Sequence, residues 1–135
     1  WRVTVADRRP AALARGDLGA AEQLLLMAPQ DLARGLDPAR YAAAVVMNHH
    51  LDSDRACLHA LARTTIPCIG LIGPGARRER LLADLGAAAG DLAGRLRGPA
   101  GLGIGADSPE TIALAILAEI HALLAGRLDL VAGSR

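Results

Sequence analysis

Apolar positions along the chain gather into four short runs, each closed by polar residues. "WRVTVAD" is β-branched and ends at Asp7; "AEQLLLMA", "YAAAVVM" and "IPCIGLIG" follow, the third apolar throughout, as buried parallel strands are. They predict strands near residues 2–7, 22–27, 42–47 and 67–72. Helical signals fill the intervals. Pro10 can open a helix that Gly16 stops, and "PQDLARGL" gives one or two short turns. Leu51, Leu58, Leu61 and Ala62 share one helical face. "ARRERLLADLG" is helical with Gly86 as its cap, and "AGDLAGRL" is a second short helix leading into "GPAGLGIGA". Ser108-Pro109-Glu110 supplies an N-cap, an N1 proline and an acidic first turn for a long helix to Gly126. Strands alternating with helices predict an α/β fold of three layers around a parallel sheet. One domain covers residues 1–127, and residues 128–135 form a short tail, frayed or part of an edge.

Composition narrows what such a domain can do. With one Trp, one Tyr and no Phe, the core must be Leu, Ile, Val and Ala, and single-strand binding by base stacking is not expected. Near-neutral charge, 15 basic against 14 acidic residues, argues against a nucleic-acid partner. All the basic residues are arginine, so a Walker A lysine, a Schiff-base lysine and a receiver-domain lysine are impossible. No G-x-S-x-G elbow exists. Cys57 and Cys68 are too few for a disulfide scaffold, which points to a reduced, cytoplasmic compartment. The apolar run from Ile112 to Leu124 is broken by Glu119 and His121, so it reads as a core helix and not a membrane span.

In an open α/β sheet, ligands lie beyond the carboxyl ends of the strands. Three polar segments follow strands here: Asp7-Arg8-Arg9, Asn48-His49-His50-Leu51-Asp52, and Gly73-Pro74-Gly75-Ala76-Arg77-Arg78. All three should share one edge of the sheet. An acidic residue such as Asp7 suits ribose hydroxyls, or else caps a helix, and the arginines suit a phosphate. Adjacent histidines point in different directions, so His49 and His50 are read as polar contacts and not as metal ligands. Gly73 and Gly75 before a helix could offer backbone N–H groups to an anion, or could simply make a tight turn. Gly101, Gly103 and Gly105 suit a turn with positive φ or a close approach to a ligand.

The blocks "VTVADRRP", "VVMNHHLDSDRACLHAL", "IGLIGPGARRERLLADLG" and "GPAGLGIGADSPETIALAILAEI" together resemble the C-terminal Rossmann domain of xanthine dehydrogenase accessory factors, the XdhC/CoxI family, over about residues 2–127. The resemblance implies a Rossmann-like sheet and a protein that binds molybdenum cofactor, protects it during sulfuration and delivers it to a molybdenum hydroxylase. That client would be of the xanthine dehydrogenase or CO dehydrogenase type, with a cysteine desulfurase as a further partner. It places the family's strand-end motifs on Asp7, on His49 and its neighbours, on Gly73 and Arg77, and on the turn from Gly101 to Gly105. Gly103 stands where the family usually has an acidic residue, Gly75 where it often has arginine, and Asn48 where it has Ser or Thr. Family members also precede "VTVAD" with a strand, a glycine-rich turn and a helix. In a doubly wound order that strand is the central one, so two strand groups with bare edges are expected, completed by another polypeptide or a second copy, or else pairing directly.

Two functions remain open: a cofactor-binding maturation protein without turnover of its own, and an NAD(P)-binding oxidoreductase domain. A purely structural interaction domain is a third. For the first, the cofactor's phosphate is expected near Arg77 and the helix after Gly75, with His49 or His50 on its polar ring. Arg77→Ala and His49→Ala are each expected to weaken cofactor binding about ten- to hundredfold, while stability stays nearly unchanged.

Overall fold

All four apolar runs form strands in the computed structural model, which describes residues 1–127 and residue 129. They are β1 (Thr4–Asp7), β2 (Gln23–Leu26), β3 (Ala43–Val46) and β4 (Cys68–Leu71), and every pairing is parallel. The helices are α1 (Pro10–Leu13), α2 (Leu32–Gly35), α3 (Leu51–Ala62), α4 (Gly75–Leu85), α5 (Ala88–Leu92) and α6 (Pro109–Leu124). Ser108 caps α6 in a reciprocal capping box with Thr111. The tail expected over 128–135 lies outside the described residues except for Asp129.

A fifth strand, β5 (Leu96–Arg97), corrects the expectation of helix across residues 89–96. Here α5 stops at Leu92 because a tertiary contact captures the next turn. The Arg95 guanidinium donates to the carbonyls of Thr64 at 3.0 Å, Ile66 at 2.8 Å and Ala62 at 3.2 Å, closing the carboxyl end of α3. Leu96 is thereby delivered to the core beside Ile69, its partner in β4.

The strands form two separate sheets, β1-β2 and β3-β4-β5. β4 is buried along its whole length. Ile69 and Leu71 face α3, α4 and α5 through Leu58, Leu61, Leu81, Leu85 and Leu92, while Cys68 faces Ile116 and Ile120 of α6. This is the three-layer arrangement. The half built on β1 and β2 differs: no residue from 1 to 45 is buried, and Val3, Leu24 and Leu26 are exposed. β1 does not pair directly with β3. The Thr4 and Tyr41 hydroxyls, 3.3 Å apart, meet across the opening between the two sheets.

Unpaired parallel edges flanked by exposed apolar side chains favour association. The isolated chain is therefore expected to run as an oligomer in size-exclusion chromatography with light scattering. A well-behaved monomer across a tenfold range of concentration would overturn this.

Candidate functional site

Polar groups from β1 and β3 meet where the two sheets face each other at their carboxyl edge. The cleft there has a volume of about 80 Å³ and is lined by Asp7 at the end of β1 with Arg8 and Arg9 beyond it, and by Asn48, His49 and His50 after β3. Ser53 and Cys57 from α3 complete its polar wall, and Met27, Pro29 and Leu32 form an apolar one. Two of the three expected segments thus converge. Asp7 is already engaged: its Oδ1 accepts from Arg9 N at 2.8 Å and Nε at 3.0 Å, and its Oδ2 accepts from Nη2 at 2.8 Å. Hydrogen bonding from the Arg9 side chain holds the Asp7 carboxyl below its ordinary range. Arg8 is exposed beside it, and His49 and His50 are exposed at the rim. Burial pushes the Cys57 thiol up, and the Asp54 and Asp7 charges add to that against a hydrogen bond from Asn48, so the thiol is neutral near pH 7.

The third segment, residues 73–78, reaches this region through a residue that the strand-end pattern did not single out. Asp54 is 0% exposed. Its Oδ1 accepts from Asn48 N at 3.2 Å and Asn48 Nδ2 at 3.0 Å, while its Oδ2 accepts from Arg77 Nε at 2.8 Å. Arg77 Nη2 lies 2.6 Å from the same oxygen as an ion-pair contact without hydrogen-bond alignment. Asp52, two positions earlier, points outward with its side chain 85% exposed and pairs with Arg55 at 2.7 Å. The signal for Asp54 was present in the spacing: 51, 54, 58 and 61 form one helical stripe, and three of the four are leucines.

Gly73 serves this clamp. It has φ +126, and a Cβ there would sit 2.7 Å from Arg77 Cδ, so only glycine lets the arginine cross to Asp54. Gly75 opens α4, away from the cleft lining, with nothing within 4 Å of an added Cβ. Gly101 and Gly103 also lie outside the lining. Gly101 belongs to a turn seated on α6: its N–H donates to buried Glu119 Oε2 at 2.7 Å, and Leu102 N donates to Ala115 O at 3.2 Å. On the same side, burial pushes the Cys68 thiol up, helped by the Glu119 charge. Both cysteines are free thiols. Among the described residues no three His, Cys, Asp or Glu side chains gather as a metal site would require, and no helix is long and apolar enough to cross a membrane.

Residues 1–120 match the XdhC Rossmann domain family. The chain is 33% identical over 120 residues to a probable xanthine dehydrogenase subunit from Bacillus subtilis (strain 168), covering 89% of this chain and 35% of that protein. It also superposes on the crystal structure of a xanthine dehydrogenase from Bacillus halodurans with a TM-score of 0.77 at 28% identity, over 92% of this chain and 35% of the other. The chain spans about a third of the length of each relative.

The clamp reverses one expectation about stability. Because Asp54 is buried, Arg77→Ala strands its charge and should lower stability by roughly 3–5 kcal/mol in denaturant melts. His49→Ala, at the exposed rim, should stay within about 0.5 kcal/mol of the parent. Gly101→Ala should lower stability by about 1–3 kcal/mol, since φ is +111 and the new methyl would meet Ala115 Cβ at 3.2 Å. An unchanged melting midpoint for either Arg77→Ala or Gly101→Ala would contradict these assignments.

Proposed function

Because the chain belongs to the XdhC Rossmann domain family, we propose that it is the cofactor-holding part of a maturation protein for a molybdenum hydroxylase. Its cargo would be molybdenum cofactor, and its client an enzyme of the xanthine dehydrogenase or CO dehydrogenase type, with a cysteine desulfurase as a further partner. The observation that carries the reading is the convergence of Arg8, His49, His50 and Asn48 on one cleft at the opening between the two sheets. Arg8 is the better phosphate contact, because Arg77 is occupied by Asp54. His49 or His50 would meet the polar part of the ring system. A cleft of about 80 Å³ suits the phosphate end and one adjoining polar group, well short of the roughly 300–1,000 Å³ that encloses a whole ligand. A seat that covers only part of its ligand suits a carrier that must release its cargo.

Turnover is not part of the reading. The Cys57 thiol is held neutral. The second reading, an NAD(P)-binding oxidoreductase domain, draws on Asp7 closing β1, the place where a dinucleotide site puts its ribose acceptor. Arg9 occupying both Asp7 oxygens favours the first reading.

Anaerobic titration with molybdenum cofactor released from a molybdoenzyme, and separately with NAD(P), tests the choice. Saturable binding of the molybdenum cofactor is expected, and Arg8→Ala or His49→Ala should each weaken it about ten- to hundredfold. Binding of NAD(P) alone would favour the oxidoreductase reading, and binding of neither would overturn both.

A further inference from the structure

A carboxylate has no proton to give, so the amide that meets it must present its NH₂. Asn48 is in that position. Its Nδ2 lies 3.0 Å from Asp54 Oδ1 and 3.6 Å from Cys57 Sγ, so both amide protons are directed into the protein. The backbone N–H of Asn48 is held by the same carboxylate oxygen at 3.2 Å. What remains is Asn48 Oδ1, an acceptor with no hydrogen-bond partner among the described residues, on a side chain that lines the cleft. Arg77 supplies the countercharge that permits a carboxylate at 0% exposure, and Gly73 leaves the space through which Arg77 reaches it.

We propose that Asp54 is the positioning residue of the cleft: it fixes the Asn48 amide so that the end of β3 offers an acceptor, selecting a ligand that presents an N–H or O–H donor at this point. The proposal rests on reading the cleft as a ligand site, and it adds which kind of ligand group meets β3. Asp54 itself touches no ligand. It acts through Asn48, and it also keeps the Arg77 guanidinium paired and out of the cleft.

Asn48 is the chain's only asparagine, so selective ¹⁵N-asparagine labelling gives a single side-chain NH₂ signal. In the parent that signal should exchange slowly with water. Asp54→Asn and Asp52→Asn each add a second labelled amide, so the Asn48 signal in each variant is the one that Asn48→Ala removes. Asp54→Asn should speed its exchange at least about tenfold, because the replacement no longer dictates which end of the amide faces it, whereas Asp52→Asn should leave it unchanged. If Asp54→Asn strands Arg77 and fails to fold, the neutral pair Asp54→Asn with Arg77→Gln takes its place, since removing both partners avoids an unpaired buried charge. In titrations with molybdenum cofactor, Asp54→Asn and Asn48→Ala should each weaken binding about tenfold, and the double variant no further, because both remove one oriented acceptor. An unchanged Asn48 signal in the Asp54 variants, or binding losses that multiply in the double variant, would overturn the proposal. A parent that binds no molybdenum cofactor but whose Asn48 signal responds as described would remove the cofactor reading and leave the positioning role standing.

Discussion

A parallel strand must hide both of its faces, and β4 meets this condition along its whole length. Most of the fold follows from that requirement. Ile69 and Leu71 gather α3, α4 and α5 on one side, and Cys68 gathers α6 on the other. Gly70 leaves room for the chain returning through Ala100, whose Cβ would be 3.2 Å from an added methyl. β1 and β2 fail the condition, since they lack a buried residue and stand as a two-stranded sheet of their own. The same opening that leaves their apolar side chains bare also leaves room for a cleft between the ends of β1 and β3.

Two buried carboxylates then fix the loops above the sheet, each by accepting hydrogen bonds from main chain. Asp54 holds the end of β3, and Glu119 holds the turn at Gly101. Glycines flank both arrangements for steric reasons: Gly73 clears a path for Arg77, and Gly101 lies against Ala115. Their role is therefore to place other groups. This separates the residues that hold the loops from those left lining the cleft, among them Arg8, Asn48, His49 and His50.

Much of the fold was legible in the sequence. The four apolar runs, the cap at Ser108 and the stop at Gly86 are local signals, and each appears at its expected place within a few residues. Asp7, Arg8, Asn48, His49 and His50 could be located as strand-end residues because ligands favour the carboxyl edge of a parallel sheet. β5 was not legible: two residues carry no periodicity, and Arg95 bonding to three carbonyls some thirty positions away is what brings them to β4.

Apart from β5, the sequence by itself determined the order and polarity of the main elements, because hydrophobic period and capping act over a few residues. The stripe of 51, 54, 58 and 61 already marks Asp54 as the inward aspartate of "LDSD", and the tertiary structure decided that it loses its water and that Arg77 turns to it. Those outcomes depend on which charges lose water when α3 and α4 pack together and on where a guanidinium can reach once they do. Pairing of that kind is set by distances through space, which residue order along the chain does not specify.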